Sequence, residues 1–178
     1  MRTDRPAAGD RKRRVRTGAA ALAVLLAAPL LAGCSHSRQE VLDALHLELP
    51  DCDRVEHSYR DHQEFWPPDG VEISFTVPKD CMDGYLRAQG VDLEARPWSR
   101  WPREGDSYNG GGWIRATDPP FDKPTMKAFR LRLDASRVYP IHRFTTSYGS
   151  AFEVLLDDNG DGTTTAYLET AYPGPHVL

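Results

Sequence analysis

The chain has 178 residues, with 22 basic and 26 acidic side chains and a formal net charge of −4. The balance is uneven: residues 1–33 take 7 of the basic and 2 of the acidic residues, leaving 15 and 24, a net −9, on residues 34–178. So acidic a domain excludes nonspecific nucleic-acid binding and electrostatic adhesion to anionic lipid, and its 145 residues suit one domain with a real core.

Arg2, Arg5, Arg11, Lys12, Arg13, Arg14 and Arg16 face only Asp4 and Asp10, a basic segment of the kind that stays cytoplasmic. Residues 19–32 then carry no charge and are mostly Ala, Leu and Val. As a helix this run spans about 21 Å, short of the ~30 Å hydrocarbon core. It therefore reads as a signal-peptide core, not a permanent membrane span. The run closes on Leu31-Ala32-Gly33-Cys34, which resembles the lipobox of bacterial lipoprotein precursors. The resemblance implies cleavage before Cys34, thioether attachment of diacylglycerol to its thiol, and acyl chains such as palmitate as the anchor. Two such chains hold a protein stably where one is marginal. The alternative is an ordinary secretory signal with a cysteine after the cleavage site. Arg13-Arg14 suits twin-arginine export, but Arg16 stands where that signal wants an apolar residue, so both export routes stay open. The expected organisation is a signal peptide at 1–33, a lipidated cysteine and short tether at 34–37, and one extracytoplasmic domain at 38–178 on the cell membrane.

Ser37 and Glu40 fit a capping box, and Val41, Leu42 and Leu45 recur at helical spacing, which predicts a helix over residues 38–46. A weak strand follows at 54–60. Pro67-Pro68-Asp69-Gly70 is a turn, and residues 71–77 alternate strictly as a strand. An antiparallel hairpin with its tip near 64–68 brings residue 52 opposite about residue 79. Cys52 and Cys81 then meet at the open end, in a compartment that permits oxidation, so a disulfide is expected; two free thiols are the alternative. Asp80 is placed to cap a second helix, with Asp83 in its first turn, that Gly90 ends. Residues 95–125 are rich in Pro and Gly and read as a loop with a short strand near 113–116. Phe129, Leu131 and Leu133 alternate with charged residues and read as a strand, and Asp157–Gly162 reads as the turn between two more. The expected fold class is α+β, an antiparallel sheet with two short helices packed against it.

The segments 49–55, 71–77 and 85–90 are similar to a module of actinobacterial lipoproteins, and Leu133-Asp134 and Val138-Tyr139 to their C-terminal strands. The shared motifs are structural, not catalytic. The resemblance implies an envelope location and no mechanism.

Asp157, Asn159 and Asp161, followed by Gly162, match the opening of a calcium loop. The twelfth position is Leu168, where a bidentate glutamate is needed, and the flanks read as strands. A tight turn is the better reading, with weak calcium binding left open. His57, Asp61 and His62 suggest a metal, but strand geometry sends 57 and 62 to opposite faces. No nucleophile-elbow, zinc-protease or phosphate-loop pattern occurs, so no cofactor, metal or catalytic residue is expected. The most suggestive feature is Trp98, Trp101, Tyr108 and Trp113, on a loop that also carries Arg96, Arg100 and Arg103. Such a set can stack on sugar or peptide, or it can fold inward as a satellite core. The expected function is a non-enzymatic envelope module that binds a ligand, glycan or protein partner. The alternative is an enzyme acting on wall polymers through a carboxylate pair.

Overall fold

The computed structural model describes residues 36–62 and 68–174. The lipobox and Cys34 lie outside the described residues, as does most of the expected hairpin tip. In chain order the elements are α1 (Arg38–Ala44), β1 (Val55–His62), β2 (Gly70–Pro78), α2 (Lys79–Ala88), β3 (Ser99–Trp101), β4 (Ser107–Tyr108), β5 (Trp113–Ile114), α3 (Lys123–Phe129), β6 (Tyr139–Thr145), β7 (Ala151–Asp158) and β8 (Thr163–Tyr172). Six strands form one antiparallel sheet in the order β1-β2-β8-β7-β6-β3, and β4-β5 is a separate small ribbon. The architecture is α+β, as expected. Among the described residues no helix is long and apolar enough to cross a membrane.

The capping box at the start of α1 is present in both directions: the Glu40 amide donates to Ser37 Oγ at 3.3 Å, and the Ser37 amide to Glu40 Oε2 at 2.6 Å. Asp80, by contrast, does not cap α2. That helix begins two residues earlier than a cap at Asp80 would set, at Lys79 after Pro78, and Asp80 sits in its first turn, where its charge complements the helix dipole's positive end. Val71, Ile73, Phe75 and Val77 of β2 face α1 and α2, joining Val41, Leu45, Met82, Leu86, Phe144, Phe152, Val154, Ala166 and Leu168 in the main core. Cys52 and Cys81 are bonded, with Cα atoms 6.7 Å apart, at the edge of this core. The bond ties the chain after α1 to the first turn of α2.

The opposite face of the sheet carries a second core: Trp101, Phe121, Phe129, Leu131, Tyr139, Ile141 and Leu155. It is roofed by α3, a helix that the sequence pattern did not announce. Asp122 is its N-cap, accepting from the Thr125 amide at 2.8 Å, and Pro124 occupies the first turn, where no amide hydrogen is needed. The strand expected at 129–133 is therefore corrected. Phe129 ends the helix, Arg130 takes a left-handed conformation (φ 52°), and the Leu131 amide donates back to Met126 O at 3.1 Å. Phe129 and Leu131 alternate in burial because a helix terminus folds them both onto one core, a pattern a strand also produces.

Candidate functional site

The four aromatic residues singled out in the sequence are split by the fold. Trp101 is 5 % exposed and belongs to the second core; its indole Nε1 donates to Asp118 O at 3.0 Å and its ring lies 5.8 Å from that of Tyr139. It is removed from the expected binding surface for a simple reason: β3 pairs with β6, and Trp101 stands opposite Tyr139, so both point under the roof. Trp98, Tyr108 and Trp113 are 62 %, 62 % and 73 % exposed. Tyr108 and Trp113 pair across the β4–β5 ribbon with rings edge to face, 5.8 Å apart. Asn109 bends the ribbon by accepting from the Gly111 amide, and Gly110 supplies the positive φ the turn requires. Trp98 lies under the Arg143 guanidinium at 4.3 Å and lines a groove of ≈ 610 Å³ with Arg96, Arg100, Arg103 and Glu104. Glu104 bridges Arg96 and Arg100, which leaves this groove net basic.

A second concave place carries charge of the opposite sign. A row of ionisable residues crosses five strands in register on the α3 side of the sheet: Arg60, Glu72, Glu169, Glu153 and Arg143. Arg60 bonds Glu72 at 2.6 Å, and Arg143 bonds Glu153. Glu169 sits between two other glutamates and, among the described residues, has no cation paired with it. Like charges directly opposite on a sheet are destabilising. Burial, reinforced by Glu153, Glu72 and Asp122, pushes the Glu169 carboxyl up to about 7. Asp122 itself is held below the usual carboxylate range by hydrogen bonds from Thr125.

Glu72 is 3 % exposed, and its bonding is lopsided. Arg60 Nη2, His62 Nε2 and Thr125 Oγ1 all meet Oε1, at 2.6, 2.9 and 2.8 Å, while the buried Oε2 has no hydrogen-bond partner among the described residues. Glu72, Glu169, Asp69, Asp122, Arg60 and His62 line a cleft of ≈ 500 Å³. Gly70 at its edge is required by crowding, because a Cβ there would stand 2.7 Å from Thr170 Cβ. The Thr170 hydroxyl accepts from the Val71 amide at 2.9 Å, replacing the ladder where β2 and β8 part. Glu169→Gln should show what the buried charge costs. Between pH 4.5 and 7 the folded carboxyl keeps a proton that the unfolded one has lost, so the penalty grows through that window and is complete above it. Because Glu169 is only partly buried, the full shift is discounted for screening, and the variant should gain about 1–2 kcal/mol at pH 8 and nothing at pH 4. Denaturant melts at the two pH values measure this; equal stability changes at both would contradict it.

The remaining candidates are used up structurally. Asp158 Oδ1 accepts from the Gly160 amide, Asp161 Oδ1 from the Thr163 amide and hydroxyl, and Asp157 pairs with Arg137, so the Asp157–Asn159–Asp161 segment is a hairpin turn. His57 and His62 do not point to opposite faces. A bulge between Glu56 and Ser58 makes His57 an extra residue, so it meets Thr76 while His62 meets Glu72, both on the same side of β2. Thr76 and Glu72 lie about 13 Å apart along the strand, too far to share a metal. Among the described residues no group of three or more His, Cys, Asp or Glu could hold a metal ion. No family model matches the chain, and no curated protein or solved structure matches it either.

Proposed function

We propose that the chain is an envelope lipoprotein, anchored through Cys34 on the outer side of the cell membrane, that acts as a non-enzymatic module binding a glycan or protein partner. The observation that carries this reading is the exposure of Trp98, Tyr108 and Trp113 within one Gly/Pro-rich segment beside arginines. Tryptophan, tyrosine and arginine are the residues that dominate binding hot spots, and clustered apolar exposure marks interaction surfaces. The enzyme alternative needs a carboxylate pair facing substrate. Glu72 and Glu169 are adjacent, but Glu72 is held by three donors on one oxygen and is 3 % exposed, which suits a fixed charge better than a nucleophile or base.

The test uses the purified protein as bait against peptidoglycan fragments and detergent-solubilised envelope proteins. Replacing Tyr108 and Trp113 together by alanine should lower specific capture at least tenfold, with the melting temperature nearly unchanged, because exposed side chains usually shift stability by no more than about 0.5 kcal/mol. Full capture by the double variant would overturn the aromatic surface as the binding face.

A further inference from the structure

We propose that the groove beside Trp98 binds an acidic sugar, a pyranose unit that carries a carboxylate or phosphate group. The inference rests on the reading above and narrows it, giving the glycan partner a charge and a place on the fold. The groove has a volume of ≈ 610 Å³, the size of a small-molecule site.

Charge selects the acid. Arg96, Arg100 and Arg103 line the groove against one carboxylate, Glu104, which leaves a local +2 on a domain that carries −9 over residues 34–178. Guanidiniums stay ionised and repel one another, so bringing three of them to one hollow costs free energy unless anions offset it. Glu104 offsets part of this. Its Oε1 lies 2.5 Å from Arg96 Nη2 and 3.4 Å from Arg100 Nη2, so a carboxylate already fits between two of the guanidiniums. Arg103 has no carboxylate partner among the described residues. Its Nη1 donates to the carbonyls of Arg115 and Asp118, both at 3.4 Å, while its Nη2 bonds nothing among the described residues and is left for an incoming acid group. Arginine forks hold carboxylate and phosphate oxygens through paired, charge-assisted bonds.

The aromatic wall selects the sugar. Trp98 is 62 % exposed and divides two hollows: with Arg96 it lines both the groove and a neighbouring hollow of ≈ 450 Å³. Arg143, whose guanidinium lies 4.3 Å over the indole, lines only the neighbouring hollow, so the side of the ring turned to the groove is left uncovered. The C–H face of a pyranose is apolar and packs on such a flat ring. Its hydroxyls find Ser99, Ser107 and the guanidiniums along the groove. Pro97 is the only other apolar side chain lining it, so no apolar pocket is formed there for a peptide side chain.

The purified protein should be titrated by NMR with N-acetylmuramic acid, N-acetylglucosamine 6-phosphate and neutral N-acetylglucosamine, which share one ring and differ in the acid group. At least one of the acids should bind ten times or more tightly than the neutral sugar, and the tighter of the two tells whether carboxylate or phosphate is the recognised group. Trp98→Ala, Arg100→Gln and Arg103→Gln should each weaken that binding at least tenfold. Trp98 and Arg100 are exposed, so their variants keep the fold. Glu104→Gln should strengthen binding, because the internal carboxylate no longer competes for Arg96 and Arg100. Arg54→Gln, in a hollow beside α1, should leave it unchanged. Equal affinity for the neutral sugar, no binding of either acid, undiminished binding in Trp98→Ala and Arg100→Gln, or weaker binding in Glu104→Gln would each overturn the proposal. The aromatic module would survive any of these results as long as envelope capture still fell when Tyr108 and Trp113 were replaced, so the two readings fail separately.

Discussion

Replacing Cys52 and Cys81 by alanine should lower the unfolding free energy by about 3–4 kcal/mol on the chain-entropy model, a large part of a typical 5–15 kcal/mol. The bridge closes a loop with a sequence separation of 29 that contains the whole β1–β2 hairpin. Without it, the segment joining α1 to β1 and the start of α2 are linked covalently only through that hairpin, and the unfolded chain gains the freedom the loop denied it. Both cysteines also pack against the main core, so the alanine pair loses some buried surface as well. The melting temperature should fall by roughly 10 °C for a domain of this size. Denaturant midpoints of the oxidised wild type and the double variant check this. An unchanged midpoint would mean that the bond constrains nothing the fold does not already hold.

The second large effect is expected at Trp101. Truncation to alanine removes a ring that is 5 % exposed, strips a contact from Tyr139 and leaves the carbonyl of Asp118 without its indole donor. Large-to-small changes of this kind cost about 3–5 kcal/mol. Trp98→Ala, three residues earlier in the same segment, should cost under about 1 kcal/mol, since its ring is 62 % exposed and loses mainly the stack beneath Arg143. The contrast separates core from surface within one tryptophan cluster. Thermal melts of the two single variants measure it, and equal losses would contradict the placement of Trp101 in the second core.

What the sequence made legible was local. The Ser37–Glu40 capping box, the alternation of residues 71–77 and the Asp-Asn-Gly turn at 157–162 each carry their instruction within a few residues, and each formed. The disulfide was legible for a related reason: a hairpin fixes register, and Val55 opposite Thr76 brings Cys52 close to Cys81. The α3 helix was hidden because Asp122, Lys123 and Pro124 read equally as loop, and because the Phe129–Leu131 pattern of a helix end mimics a strand. His57 misled because one bulge residue reverses every face after it. The acidic cleft was out of reach altogether. Glu72 and Glu169 meet only because the last strand of the sheet inserts beside β2, a pairing between distant segments with no local mark. One hint was available: Glu72 interrupts the most apolar strand on the face opposite Val71, Ile73, Phe75 and Val77, and the roof of α3 buries it there.

The proposed address bears on the rest of the reading, because an envelope location supplies both the oxidising surroundings for Cys52–Cys81 and the partners for the exposed aromatic rings. The direct measurement is metabolic labelling of the full chain with a clickable fatty-acid analogue, followed by membrane fractionation, for wild type and Cys34→Ala. The wild type should carry the label and sediment with membranes, and Cys34→Ala should lose the label and remain as an unprocessed or released form. Undiminished label on Cys34→Ala, or an unlabelled wild type recovered in the soluble fraction, would contradict the account.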